Sequence, residues 1–263
     1  MLADTHCHLD FQAFDDDRDQ VLSRSREAGV ERILNPGINL ASSRAAVDLA
    51  ESRSGVYAAV GVHPNESASW DDRAVAHLRL LADSPMVVAV GEIGLDYYRD
   101  RAPHDLQKRV FEEQLSLATE LRLPVVIHNR QATAELLQIL QAWQAGLSAS
   151  GSPLAERPGV LHSYSAGLEH ALKAIDLHFL IGITGPVTFR NAPQLQALVA
   201  ALPLDHLLVE TDAPFLAPHP YRGKRNEPAH VRLVADKIAQ LHQLDFAAVA
   251  QTTSQNARQL FEW

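Results

Sequence analysis

An alternation repeated eight times constrains the fold of this chain most: a short apolar run, a polar or glycine-rich turn, and then a helical stretch. Each run is nearly continuously apolar and rich in β-branched residues, as strands buried on both faces of a parallel sheet are. The expected strands are Leu2–His6, Val30–Leu34, Val56–Val62, Met86–Glu92, Pro124–His128, Gly159–His162, His178–Ile183 and His206–Glu210. Between them, Asp105–Arg122 and Ala229–Gln243 carry a broad apolar face at helical spacing, which predicts amphipathic helices.

Strands that alternate with helices at this rhythm predict right-handed βαβ units and a parallel sheet. Eight such units within 263 residues are the number found in a (β/α)8 TIM barrel. An open doubly wound sheet is the alternative, but it usually has fewer strands and a glycine-rich nucleotide loop, and no GxGxxG or Walker-type loop is present. We therefore predict an α/β chain that forms a single TIM-barrel domain over residues 1–263. The Ser-, Gly- and Pro-containing stretch Gln144–Pro158 is expected to be a surface loop.

The charge balance narrows the classes of partner. The chain has 32 acidic and 23 basic residues, a formal net charge of −9. Proteins that coat nucleic acid by counterion release are normally basic, so any nucleic-acid substrate must be held locally, near a cation. The sequence shows one cysteine, no secretory signal and no membrane-spanning apolar stretch. We expect a cytoplasmic protein with no membrane association and no obligate protein partner.

The segment Asp4–His8 (DTHCH) is the sharpest local signal of chemistry. Side chains alternate along an extended segment, so His6 and His8 point to one side and Cys7 points to the other. Two imidazoles on one side of a strand end are a ready pair of metal ligands. We predict that His6 and His8 bind metal, and that Cys7 is a small buried residue facing away from it.

Four further nitrogen or oxygen donors lie at the C-terminal tips of predicted strands, where active sites of TIM barrels assemble. These donors are Glu92, His128, His162 and Asp212. A lone histidine at a strand end is more often structural, but six donors converging on one face predict a metal centre. Glu92 is best placed to bridge two divalent cations, one held with His6, His8 and Asp212 and the other with His128 and His162. Such a pair can activate a water for phosphoryl displacement, and Asp212 would orient that water and accept its proton.

Two other features suggest contacts with substrate. His63 ends another predicted strand in the sequence Gly61-Val62-His63-Pro64, and it is expected to contact substrate or to serve as a catalytic acid or base. The loop after the eighth strand contains Arg222, Lys224 and Asn226. Loops in this position often bind phosphate in TIM barrels, so an anion-binding role is favoured over that of a solvated basic loop.

With these motifs in place, the chain resembles the TatD family of metal-dependent deoxyribonucleases, within the amidohydrolase-like TIM barrels. The motifs are DTHCHLD at 4–10, GVHP at 61–64, GEIGLDYY at 91–98, LPVVIHNR at 123–130, ETDAPFLAP at 210–218 and RGKRNEP at 222–228. The resemblance implies a binuclear site with the six ligands above and hydrolysis of DNA phosphodiesters, often from the 3′ end. Family members usually read H-C-F-S-G where this chain reads His162-Ser163-Tyr164-Ser165-Ala166-Gly167, so the loop above the metals is expected to differ.

Three functions stay open from the sequence. The first is a metal-dependent DNase, a 3′–5′ exonuclease on single-stranded or short DNA. The second is a metal-dependent esterase or amidase, for example an aminoacyl-tRNA deacylase, and the third is a non-catalytic protein that binds nucleic-acid ends. Related barrels commonly bind metal through a carboxylated lysine on a central strand. Here no lysine ends a predicted strand and Glu92 takes the bridging place, which favours the DNase. Two divalent cations are expected as cofactors. Imidazole ligands suit Zn²⁺, Mn²⁺ or Fe²⁺ better than Mg²⁺, whereas the resemblance implies use of Mg²⁺.

Overall fold

The computed structural model describes residues 1–71, 73–99 and 101–263. Within them, eight parallel strands pair in sequence order, β1 with β2 through to β7 with β8. The strands are β1 (Leu2–Asp4), β2 (Val30–Pro36), β3 (Val56–Val60), β4 (Val87–Asp96), β5 (Val125–Arg130), β6 (Gly159–Leu161), β7 (Leu180–Ile183) and β8 (Leu207–Val209). A parallel bridge between Cys7 and Ala213 joins the first strand's segment to the last. The sheet is therefore a nearly closed barrel, and the predicted TIM-barrel fold is confirmed.

Helices alternate with the strands and supply the outer layer of the barrel. They are α1 (Arg18–Glu27), α2 (Leu40–Ser52), α3 (Ala74–Leu81), α4 (His104–Leu121), α5 (Thr133–Ala149), α6 (Leu168–Asp176), α7 (Pro193–Ala201), α8 (Val231–His242) and α9 (Phe246–Phe261). The amphipathic segments predicted over 105–122 and 229–243 correspond to α4 and α8 within two residues. In α4, Val110, Phe111 and Leu115 are buried against the barrel. No helix among the described residues is long and apolar enough to cross a membrane.

The strand ends differ from prediction at two places that matter for the site. The first strand stops at Asp4, so His6 and His8 lie just beyond it. The fourth runs on to Asp96, and its register with β5 shifts between Val90 and Ile93, around Glu92. Such irregularities redirect side chains at barrel rims. Both strands therefore deliver their polar residues to the carboxyl end of the barrel.

The expectation that Gln144–Pro158 is a surface loop was wrong for its first part. Helix α5 continues to Ala149, with Leu147 buried, and a short 3-10 helix covers Pro153–Glu156. The Gln144 side chain donates to the Ala155 carbonyl at 2.7 Å. Leu147 belongs to a small apolar cluster there, and its burial favours helix over the loop that the composition indicated.

Candidate metal centre

His6 and His8 form one side of a buried cluster at the carboxyl end of the barrel. Their side chains are almost fully buried, and their Nε2 atoms lie 3.2 Å apart. The Oε2 atom of Glu92 is 3.5 Å from the Nε2 of His6, and Oδ1 of Asp212 is 3.6 Å from that of His8. The Cys7 side chain is fully buried, in the main apolar core. Four predicted ligands thus converge on one point.

Glu92 connects this cluster to a second one. Its other oxygen, Oε1, lies 2.9 Å from Nδ1 of His128 and 3.7 Å from Nε2 of His63. Burial alone would raise the pKa of Glu92, but the imidazoles of His63, His6 and His128 around it hold that pKa well below its ordinary range. Glu92 is therefore an ionised carboxylate with one oxygen directed to each cluster, the geometry expected of a bridging ligand.

His162 lies on the His6 side of the centre. Its ring stacks on that of His6 with centroids 3.4 Å apart, and its Nε2 is 3.8 Å from Oδ1 of Asp212. Among the described residues, the groups able to hold a cation are His6–His8–Asp212, His6–Glu92–His162 and His63–Glu92–His128. The structure thus brings all six predicted ligands together, but it places His128 and His162 in different groups rather than side by side.

His63 lies inside the second group, nearer to the centre than a peripheral substrate contact would be. Its Nδ1 accepts a hydrogen bond from the Asn65 backbone N–H at 3.1 Å. Burial and the neighbouring His128 lower the pKa of His63 to about 3, so the ring is neutral. Because Nδ1 is an acceptor, the proton of the neutral ring is on Nε2, the atom that faces Glu92.

Two buried carboxylates, Asp96 and Glu210, hold the rings of His128 and His162 in place. The sequence analysis assigned no role to either. Oδ2 of Asp96 is 3.2 Å from Nε2 of His128, and Oε2 of Glu210 is 2.8 Å from Nδ1 of His162. Burial acts to lower the pKa of each histidine, but these carboxylates raise both values to about 9, with Glu92 assisting at His128. Asp96 lies in the motif GEIGLDYY and Glu210 in ETDAPFLAP. An acidic residue at the end of a buried apolar run was the sequence signal that could have identified each of them.

The arrangement around the imidazoles fits a metal. A metal-binding histidine usually donates its other ring N–H to a carboxylate or carbonyl. His128 and His162 have such carboxylates, and Nδ1 of His8 lies 3.3 Å from the Pro36 carbonyl. Nδ1 of His6 is buried without a hydrogen-bond partner in the described structure. Buried carboxylates are costly unless paired or coordinated, so this mixed nitrogen and oxygen donor set suits a divalent cation.

Asp212 owes its position to an unusual backbone conformation. Its φ is +54°, a left-handed value that is uncommon for residues other than glycine, and its N–H donates to the His6 carbonyl at 2.8 Å. Burial alone would raise its pKa, but the hydrogen bond with His8 and the charges of His162 and His6 lower it. With 17 % of its side chain exposed, Asp212 combines an ionised carboxylate with access from the mouth.

The prediction that Asn226 binds substrate needs correction. Its side chain is fully buried and donates to the carbonyls of Thr211 and Phe215 at 2.9 and 2.8 Å. No edge of the amide is left to face a ligand, so Asn226 positions the segment that carries Asp212. Arg222 and Lys224 are exposed on the same loop, and the Arg222 guanidinium lies 4.5 Å from the Phe189 ring centroid.

The segment after His162, which differs from the sequence usual in the family, leaves His162 in place. Ser163 has a φ of +45°, and its N–H donates to Oε2 of Glu210 at 3.0 Å. The Tyr164 hydroxyl closes the loop by donating to the Gly167 carbonyl at 2.8 Å, and Ala166 lies within that closed turn. The additional residue therefore changes the loop surface and not the support of His162.

Comparison with known proteins agrees with this geometry. The sequence profile of the family described as TatD related DNase matches residues 3–262. The chain is 40% identical to YabD, a metal-dependent hydrolase of Bacillus subtilis, over 99% of both chains. It is 39% identical to the 3′-5′ ssDNA/RNA exonuclease TatD of Cronobacter sakazakii, over 94% of this chain and 93% of the relative. The crystal structure of YJJV, a TatD homologue from Escherichia coli, superposes with a TM-score of 0.91 at 32% identity, covering 100% and 98% of the two chains.

The family profile and the YJJV structure each match nearly the whole chain, so the family assignment does not depend on any single motif. The chain belongs to the TatD-related DNase family of metal-dependent hydrolases.

Proposed function

We propose that this protein is a two-metal nuclease that removes nucleotides from the 3′ end of single-stranded or short DNA. The observation that carries the proposal is Glu92, whose two oxygens face two separate groups of donors. One group would hold a cation with His6, His8 and Asp212. The second would hold a cation with His128, and His162, which stacks on His6, would be a further ligand on the side of the first group. When bound, the two cations would activate a water and neutralise charge on the phosphoryl oxygens.

The proton acceptor in this proposal is Asp212. It is the most exposed of the metal-site carboxylates, and its lowered pKa leaves it ionised near neutral pH. Its placement by the Asn226-supported loop fixes the direction of its oxygens. An ionised carboxylate held in this way orients a water and accepts a proton from it.

His63 is the proposed donor to substrate. With Nδ1 occupied by the Asn65 N–H, its Nε2 carries the proton of the neutral ring, and this N–H would donate to a phosphate oxygen held beside Glu92. The arginine and lysine at positions 222 and 224 are exposed nearby in the loop after β8, and we propose that they bind the phosphates of the strand.

RNA is a second candidate substrate. A relative 39% identical to this chain is named for activity on both single-stranded DNA and RNA. The donors in the metal centre would recognise phosphate oxygens, which the two polymers share. The assay should therefore include both polymers.

The test uses protein stripped of metal with a chelator and then supplied with Mg²⁺, Mn²⁺ or Zn²⁺ in turn. A 5′-labelled single strand should give a ladder of products shortened from the 3′ end, whereas a 3′-labelled strand should release mononucleotide at once. Glu92→Gln and His128→Ala should lose at least 100-fold in kcat, while Glu169→Gln, which changes an exposed glutamate paired with Lys173, should keep full activity. Equal cleavage by all variants would refute the proposal, as would turnover of aminoacyl-tRNA or a small ester without turnover of DNA.

A further inference from the structure

One exposed aromatic ring at the mouth of the barrel lies beside two arginine side chains. Tyr98, in the turn after β4, has 52% of its surface exposed. The guanidinium carbon of Arg130, at the end of β5, lies 3.9 Å from the centre of its ring, and that of Arg99 lies at 5.8 Å. Both distances are within the range of a cation–π contact. The ring and its arginines form a surface that we call the Tyr98 platform (Tyr98, Arg99 and Arg130).

The Tyr98 platform is tied to the metal centre by a single carboxylate. Oδ1 of Asp96 accepts the backbone N–H groups of Tyr98 and Arg99 at 3.0 and 2.9 Å. Its Oδ2 holds the ring of His128. His128 and Arg130 are two residues apart on β5, so their side chains leave the strand on the same side, about 6.6 Å apart along it. At the rise of about 3.4 Å per nucleotide of stacked bases this spacing is about two nucleotides, and it is nearer to one in a more extended single strand.

Several cations of this acidic chain are engaged by carboxylates, whereas the two arginines of the platform have no such partner among the described residues. Elsewhere, Arg24, Lys108 and Arg225 each bind two carboxylates or a carboxylate and a backbone carbonyl. In the described residues, Arg99 and Arg130 form no ion pair. A guanidinium that lies on a ring face keeps its planar edge of N–H donors free. That edge is the part of an arginine that binds a phosphate in bidentate fashion.

We propose that Tyr98 stacks with a base of a single-stranded nucleic acid while Arg130 binds an adjoining phosphate, one or two nucleotides from the bond that is cleaved. This rests on the proposed nuclease function and assigns to it the residues that would recognise unpaired bases. Stacking on an aromatic face tolerates any base, because every base has a π-face. The platform therefore selects single strands over duplexes without selecting sequence.

The first experiment measures binding to chelator-treated protein, so that it does not depend on catalysis. The probe is an oligothymidylate with 2-aminopurine substituted at each position in turn, whose fluorescence is quenched when the base stacks. Quenching at one or two positions by the wild type, lost in Tyr98→Ala and kept in Tyr98→Phe, is the expected result. Arg130→Ala should lower the slope of log affinity against log salt by about 0.7, the share of one phosphate on a single strand. Arg258→Ala, which removes an exposed arginine of α9, is the control and should leave the slope unchanged.

The second experiment compares substrates of different length. Tyr98→Ala should raise KM for the oligonucleotide roughly 5- to 150-fold more than it raises KM for bis(p-nitrophenyl) phosphate, a diester too small to reach the platform. Equal losses on both substrates would mean that Tyr98 only supports the fold of the site, and would overturn the proposal. So would wild-type protein that binds the probe without quenching, or that does not bind it. If the wild type quenches the probe through Tyr98 but cleaves no strand, the nuclease function fails and the binding platform stands.

Discussion

Glu210 offers the most direct test of how the barrel supports its metal centre. Its carboxylate is fully buried and accepts from Nδ1 of His162 at 2.8 Å and from the Ser163 N–H at 3.0 Å. Both donors share one oxygen, Oε2, so in a Glu210→Gln variant the volume is retained and the amide oxygen can still accept both N–H groups. What the variant removes is the negative charge, which strengthens the bond to Nδ1 and raises the basicity of the ring nitrogen that would face a metal.

The expected loss can be placed on a scale. Removing the partner of a metal-binding histidine typically lowers metal affinity 10- to 100-fold. That range corresponds to about 1.4–2.8 kcal/mol at 1.4 kcal/mol per tenfold change. We expect Glu210→Gln to fall within it for a cation that His162 would bind, because His162 is one ligand among several and the others stay in place.

The measurement is isothermal titration of chelator-treated protein with Mn²⁺, followed by kcat at saturating metal. Glu169→Gln is the matched control, since it makes the same chemical change at an exposed glutamate on α6. Thermal unfolding of both variants in the absence of metal shows whether the barrel is intact. An intact Glu210→Gln barrel with wild-type Mn²⁺ affinity would refute the view that the charge of this carboxylate strengthens a metal ligand.

Three further changes separate support of the site from support of the fold. Asn226→Ala should lower both kcat and the free energy of unfolding, the latter by about 1–3 kcal/mol, because it leaves buried carbonyls without donors; calorimetry and steady-state kinetics check this. Gly182→Ala should reproduce the metal-binding defect of Glu210→Gln, because an added Cβ would lie 2.3 Å from the Glu210 carboxylate and displace it. The control is Gly146→Ala on α5, where an added Cβ meets nothing within 4 Å and the stability should be unchanged or raised. Asp17→Asn removes a carboxylate whose pKa is lowered to about 2 by Arg225 and Arg24. The variant should therefore be less stable than the wild type by a constant amount above about pH 4, and this difference should vanish as the pH falls through about 2. Measurement of Tm against pH for both proteins checks this.

The fold was predictable because its signal is local. A strand buried on both faces is apolar along its buried length, and β3 shows this over its five residues and β5 over its first three. The candidate ligands were predictable for the same reason, since the end of each run marks where a side chain reaches the mouth. Composition misled at 144–149, where small residues resembled a loop but Leu147 found a buried position on a helix.

The supporting contacts were not predictable because they join distant parts of the chain. His128 and its partner Asp96 are 32 residues apart, and His162 and Glu210 are 48 apart. Nothing in the local pattern says which buried acid meets which imidazole, or that His162 stacks on His6 rather than lying beside His128. These pairings follow from strand order and register, which exist only once the barrel has closed.

Closure of the barrel and construction of the site depend on the same contacts. The carboxylate of Asp4 accepts the Thr211 N–H at 2.9 Å and its hydroxyl at 2.5 Å, across the seam between β1 and β8. One residue further, the Asp212 N–H donates to the carbonyl of His6, so the two candidate ligands are hydrogen-bonded through their backbones. Among the described residues this seam has one isolated bridge and a few backbone hydrogen bonds, such as Thr5 N–H to the Val209 carbonyl at 3.2 Å, in place of a continuous strand pairing. Here it is also where cations would cross-link the first and last segments, so metal binding should stabilise the closed barrel as well as equip it for hydrolysis.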